Sequence, residues 1–296
     1  MNLLVITADD FGLAKEVNEA VEIGCREGVL SAASLMVAAP RAEDAVERAR
    51  AMPRLRVGLH LALTDALPAL PPEAIPDLVD KGGRLKADLA FFGMRLALSG
   101  RARRQMRAEI HAQFDAFRAT ELTLDHVSVH QHYHLHPVVA MMVIELAARS
   151  GARALRTPVE APRIVGDRGD RGVRQLPLVE RACSVFLRAQ ARRAGMFTPN
   201  AVFGRRWSGG MTAERLRSLL TRPLPEGLCE IYMHPATRDD FLGHAPGYRY
   251  ADELAALIAP ETMSALRATG RALGGYGDVG SGQGTRYAAG GASKRQ

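Results

Sequence analysis

Four short motifs hold residues able to do acid–base or metal chemistry. Thr7-Ala8-Asp9-Asp10-Phe11-Gly12 sets two adjacent carboxylates directly after an apolar stretch. Neighbouring side chains at a strand end diverge, so one carboxylate can hold a metal while the other faces substrate. A helix cap would need only one of them. Val57-Gly58-Leu59-His60-Leu61 ends an apolar run in a histidine, beside a glycine that admits a close neighbour. Taken alone, His60 reads as a core histidine. Asp125-His126-Val127-Ser128-Val129-His130-Gln131-His132-Tyr133-His134-Leu135-His136-Pro137 gathers five of the nine histidines. Alternation puts His126 and His130 on one face of an extended segment, with Ser128 between them. Glu230-Ile231-Tyr232-Met233-His234-Pro235 again ends an apolar run in a histidine.

Neutral imidazole is a common metal ligand near pH 7. An acid, a histidine and a histidine cluster with open positions form a hydrolytic metal site. There the ion acidifies water, a carboxylate takes the proton, and a further histidine protonates the leaving group. Not all five clustered histidines can be ligands. The others, His126 and His136 among them, orient ligands, bind substrate or pack. Histidine leans to zinc, and carboxylate with water to magnesium. No GxSxG is present, and the GDRGDRG stretch lacks the context of a phosphate loop.

The elements that must position these residues alternate strand with helix. Strands are expected at Asn2–Thr7, Ser34–Ala38, Arg56–Leu61, Asp125–His130, Ala154–Arg156, Ala201–Phe203, Leu228–Met233 and Arg271–Tyr276. Helices are expected at Lys15–Glu27, Ala42–Met52, Arg101–Ala119, Val138–Ser150, Leu178–Ala194, Thr212–Leu220, Asp252–Ile258 and Glu261–Thr269. Leu67–Pro76 and Pro158–Pro177 read as loops. The order implies parallel βαβ units closed, or nearly closed, into a distorted (β/α) barrel, with an open doubly wound sheet as the alternative. In a barrel, chemistry collects at the C-terminal ends of the strands, where all four motifs are expected. One domain over residues 1–278 and a flexible Gly/Ser/Ala-rich tail over 279–296 complete the organisation.

The 296 residues, 47% hydrophobic and 24% charged, exclude a disordered chain and a disulfide-held mini-protein. Three scattered cysteines without a CxxC imply inert thiols in a reducing, cytoplasmic setting. No apolar run reaches a membrane span, and the N-terminus reads as a first strand rather than a signal peptide. The net charge of +7 draws the protein toward anionic surfaces, and no nucleic-acid motif accompanies it. Arg181–Phe197 sets Val185, Phe186, Leu187, Ala189 and Met196 among arginines, a pattern suited to the inner membrane face or to ordinary packing on a barrel.

TADDFG, GLHL, the HxxxHxHxH-x-x-P segment, LRTP (Leu155–Pro158) with Glu160, and the late MHP together resemble the YdjC/ChbG-type carbohydrate deacetylases. The likeness runs in order from the start to about Asp278. It implies a NodB-like distorted barrel and one divalent metal ion (Mg2+ or Zn2+). It implies Asp10, His60 and His130 as metal ligands, Asp9 as general base and His234 as general acid. Arg156 would orient a carboxylate or the substrate, and His132 and His134 would bind substrate. Ser128 stands where the usual pattern has Asp, so any role of that Asp is not carried over. The form HVSVHQHYHLHP is most like the hopanoid-biosynthesis (HpnK) branch, which implies deacetylation of an N-acetylglucosaminyl hopanoid. The implied partners are a glycolipid or N-acetylglucosaminide, a membrane surface and a second copy of the chain, with no nucleic acid. Two other classes stay open. A non-catalytic metal sensor would have no use for Asp9 and His234, and a lyase or isomerase on the same barrel would release no acetate.

Overall fold

The computed structural model describes residues 2–161, 165, 177–279 and 285–286. Its strands are β1 (Leu3–Phe11), β2 (Ala32–Leu35), β3 (Arg56–Leu61), β4 (Val127–Val129), β5 (Ala201–Phe203), β6 (Leu228–Met233), β7 (Ala272–Leu273) and β8 (Thr285–Arg286). Its helices are α1 (Lys15–Glu27), α2 (Ala42–Arg50), α3 (Leu89–Leu98), α4 (Gly100–Ala119), α5 (Pro137–Arg149), α6 (Leu178–Arg193), α7 (Ala213–Leu220), α8 (Tyr250–Ile258) and α9 (Pro260–Ala268).

Parallel strands run in the order β4-β3-β2-β1-β6-β5. The chain between β4 and β5 is spanned by an extended segment. The Arg156 amide donates to the Val127 carbonyl, the Leu155 amide to Phe197, and the Val202 amide to Val159. Those bonds curl the sheet into a distorted barrel and dispose of the open-sheet alternative. The Ala154–Arg156 strand is thus a bridge of isolated pairings rather than a full ladder.

Period-2 alternation gives the barrel two kinds of interior. Leu4, Ile6 and Ala8 of β1 join Leu59, Leu61, Val127 and Val129 in the layer beneath the helices. Leu3 and Val5 point the other way, with Ala32, Leu228 and Tyr276, and fill the barrel's N-terminal end. Above them the inward row turns polar: Thr7 and Asp9 on β1, Ser34 on β2, His60 on β3, Ser128 on β4 and Glu230 on β6 are all buried. A polar layer inside an apolar shell must be hydrogen-bonded throughout, and it marks where the site lies.

Several elements depart from expectation. β1 runs on to Phe11, so Asp9 and Asp10 lie within the strand rather than after it. β2 starts two residues earlier than expected and stops at Leu35. β4 keeps only Val127–Val129, because the chain turns at Gln131 and His132, both at positive φ. β7 stops at Leu273, and a 3-10 turn takes up Tyr276–Asp278. Helix α3 was not expected: LAFFGMRLAL is apolar nearly all round and holds a glycine, so no 3.6-residue stripe shows. A 3-10 turn at Pro72–Ala74 sits inside the expected Leu67–Pro76 loop. Of the expected Pro158–Pro177 loop, only Pro158–Ala161, Val165 and Pro177 are among the described residues. Most of the expected tail is also outside them, but Thr285–Arg286 pairs antiparallel with β7.

In α6 the apolar set divides. Leu187, Ala191 and the following Met196 pack inward, whereas Leu178, Val179, Val185 and Phe186 are exposed. No helix among the described residues is long and apolar enough to cross a membrane. The three cysteines are free.

Candidate metal centre

Asp9 and Asp10 should point to opposite faces of β1. They do not, because the register against β2 shifts between Ala8 and Phe11 and Asp10 takes φ 61°. This bulge re-aims the second carboxylate into the barrel mouth beside the first. Asp10 Oδ1 then lies 3.3 Å from His60 Nε2 and 3.1 Å from His130 Nδ1. One ligand atom from each of the three residues lies within 4.8 Å of the others.

The two imidazoles are held from behind. His60 pairs with Ser128 across the β3–β4 register, and its Nδ1 lies 2.7 Å from Ser128 Oγ. A proton on Nδ1 donated to Ser128 leaves the Nε2 lone pair facing Asp10. Ser128 is thus the hydroxyl partner of the His60 imidazole. His130 stands edge-on to His60, with ring centroids 5.5 Å apart. Burial holds His60 below the ordinary histidine range, which favours the neutral imidazole. Burial works against the charge on His130 and on Asp10. Their mutual pairing outweighs it, raising His130 and holding the Asp10 carboxyl well below the usual carboxylate range. Two imidazoles and a carboxylate converging on one point fit a divalent ion.

Asp9 meets a different partner. Arg156 Nη1 donates to its Oδ2 at 2.5 Å and Nη2 to its Oδ1 at 2.9 Å. The other edge of the guanidinium is gripped by Glu230, from Nε at 2.9 Å and Nη2 at 2.7 Å. Burial opposes charge on Asp9, but Arg156 beside it outweighs burial and keeps Asp9 ionised far below the usual range. Arg156 is itself wholly buried. It orients carboxylates and has no face left for a substrate.

His234 follows the last residue of β6 and is half-buried. Glu253 accepts its backbone N–H, and its ring stands edge-on to Tyr232 and Tyr248 at 5.7 and 5.3 Å. Its Nδ1 has no hydrogen-bond partner among the described residues. His132 Nε2 lies 2.9 Å from the Tyr232 hydroxyl and its Nδ1 is likewise without a partner. Burial, with Arg205 and His134 nearby, keeps His132 neutral. His134 is fully buried, with Nε2 3.0 Å from the Arg156 carbonyl, and burial pushes it down to about 4. It braces the backbone of Arg156 and cannot touch a substrate. The structure therefore brings Asp9, Asp10, His60, His130, His132 and His234 to the mouth and sets Arg156 and His134 behind them.

The remaining clustered histidines have structural places. His126 bonds Asp125 at 2.9 Å and Ser34 at 3.1 Å, and stacks on Tyr276. Its ring lies over Gly58, where an added Cβ would come within 2.5 Å of it. The glycine of GLHL thus admits a side chain, the His126 ring. His136 stacks with Tyr133. Sequence reasoning gave no role to Glu230, Tyr232, Tyr276 or Glu253. The one signal available was Thr7 and Glu230, polar residues standing at inward positions of otherwise apolar strands.

A "Carbohydrate deacetylase" of Geobacillus stearothermophilus is 30% identical over 268 residues, covering 90% of this chain and 93% of the relative. A "Chitooligosaccharide deacetylase" of Enterobacter sp. (strain 638) is 35% identical over 154 residues, half of this chain and 57% of the relative. A crystal structure from Enterococcus faecalis V583, described as that of a cellobiose-phosphate cleavage protein, shares the fold. Its TM-score is 0.74 at 24% identity, over 93% of this chain and 97% of the other. Residues 3–268 match the family described as YdjC-like protein. With the motifs in order and the carboxylates and imidazoles gathered at one barrel mouth, the chain belongs to the YdjC-like family.

Proposed function

We propose that this protein is a divalent-metal-dependent hydrolase that removes the acetyl group from an N-acetylglucosamine unit. The observation that carries the reading is the Asp10–His60–His130 triad beside an Asp9 paired instead with Arg156. The names of the Geobacillus and Enterobacter relatives support a carbohydrate N-deacetylase. A metal-binding protein without catalysis would leave Asp9 and His234 idle.

Asp10, His60 and His130 would hold the ion, which as a Lewis acid polarises an amide carbonyl and acidifies water. Asp9 accepts the proton of the attacking water as the carbon–oxygen bond forms. Arg156 keeps that carboxylate ionised and aimed. His234 gives a proton to the departing nitrogen as the carbon–nitrogen bond breaks, leaving acetate and a free amine. His132, bonded to the Tyr232 hydroxyl, would form part of the wall that the sugar meets. His134 and Arg156 serve the site without touching the sugar.

The finer reading is N-acetylglucosaminyl bacteriohopanetetrol. The HVSVHQHYHLHP segment supports it, as does the apolar and basic outer face of α6, suited to a head group presented at the inner membrane surface. The second reading, a soluble chitooligosaccharide such as diacetylchitobiose, is favoured by the name of the Enterobacter relative. Purified metal-loaded protein offered each substrate in turn distinguishes them by acetate release. Faster turnover of the glycolipid is expected. Turnover of the soluble sugar alone selects the second reading, and no acetate from either refutes the deacetylase.

A further inference from the structure

We propose that Glu230 and Tyr276 are positioning residues for the hydrolysis, fixing through Arg156 the direction in which Asp9 presents its carboxylate. This rests on the deacetylase reading above, in which Asp9 is the base. The argument begins with the guanidinium. One carboxylate on one edge leaves a guanidinium free to pivot, whereas two carboxylates on two edges define its plane. Asp9 takes the Nη1/Nη2 edge and Glu230 the Nε/Nη2 edge, each with two hydrogen bonds.

Glu230 is in turn saturated. Its Oε1 accepts from Arg156 Nη2 and from Thr7 Oγ1 at 2.7 Å. Its Oε2 accepts from Arg156 Nε and from the Tyr276 hydroxyl. A carboxylate offers about four acceptor sites, and all four are taken, so Glu230 has no second orientation. Tyr276 comes from the chain after β7 and is locked as well. Its amide donates to Asp125 Oδ2 at 3.0 Å, and its ring stacks on His126 with centroids 4.8 Å apart. A rigid line thus runs from the C-terminal strap through Tyr276, Glu230 and Arg156 to Asp9.

Stability alone does not account for this. A buried ion cluster often stabilises no more than apolar residues of the same volume. Arg156 and Glu230 are both wholly buried, and neither can meet a substrate. A loss through Glu230 would therefore fall on kcat and leave KM and the metal in place.

The test is a double-mutant cycle on the metal-loaded full chain, with metal content and melting temperature measured for each variant. Glu230→Gln keeps the shape but sets an amide N–H against the guanidinium. The expected result is a kcat lower by about 10–100-fold, the usual scale for residues supporting a site from behind, with KM within about two-fold and full metal content. In an Asp9→Asn background, adding Glu230→Gln should change kcat by less than about two-fold, because the residue acts through Asp9. Tyr276→Phe, which removes one hydroxyl, goes through the same cycle and serves if Glu230→Gln does not fold. Losses that multiply in the double variants, or wild-type kcat in both single variants, overturn the positioning role while wild-type deacetylation stands. A wild type that releases no acetate overturns the deacetylase reading, and this role with it.

Discussion

At Asp10 the backbone adopts a left-handed angle that costs an L-residue about 1–2 kcal/mol. The return is a second carboxylate on the same side of β1 as Asp9, with different partners for the two. Asp10 faces two imidazoles and Asp9 faces a guanidinium. We therefore expect His60→Ala and His130→Ala each to lose the metal while the fold survives, measured by elemental analysis and circular dichroism. Full occupancy in either variant would remove that histidine from the ligand set. Asp9→Asn is expected to keep the metal and lose about 10²–10⁴-fold in turnover, because an amide cannot take the proton from water. Loss of metal in that variant would show that Asp9 and Asp10 have exchanged roles. Both roles were named from the sequence motif, but the sequence held no geometry to divide them. The bulge that gives the two carboxylates different partners leaves no mark in residue type.

The strands explain why so many histidines are present where only His60 and His130 converge on Asp10. Ser34, Gly58 and His126 lie in one row across β2, β3 and the residue just before β4. Because Gly58 has no side chain, the His126 ring crosses it and reaches Ser34. Gly58→Ala should therefore overpack the interior and destabilise the fold by about 1–3 kcal/mol in chemical denaturation. An unchanged midpoint would mean that the ring can move aside. The histidine cluster was visible in the sequence, but its division was not. Extended alternation accounted for His126, Ser128 and His130. The turn at Gln131 and His132 then ended the alternation and sent His134 behind Arg156.

Across the whole molecule, the basic charge and the outer face of α6 bear on where the enzyme works. Val185 and Phe186 are exposed among arginines, while Leu187 packs on the barrel, so a narrower face than the sequence suggested is free for lipid. Each basic residue near an anionic surface contributes about 1 kcal/mol, screened by salt. The protein should sediment with anionic liposomes at low salt and be released at high salt. Failure to bind at low salt, with activity intact on a water-soluble N-acetylglucosaminide, would leave α6 as plain packing and favour the soluble substrate.

Most of the strand and helix order and the parallel α/β class follow from periodicity and local residue type, which act over a few neighbours; α3 and the choice of a curled barrel over an open sheet do not. β3, β5, β6 and α1 lie where the sequence places them, because their burial patterns are regular. What the sequence could not decide joins positions far apart in the chain. Asp9 lies 147 residues from Arg156, Thr7 lies 223 from Glu230, and Asp125 lies 151 from Tyr276. Nothing in the local pattern around Glu230 or Tyr276 says that they meet. Only closure of the barrel, with the C-terminal strap packed into its base, removes water from these groups and obliges each buried charge to find its partner.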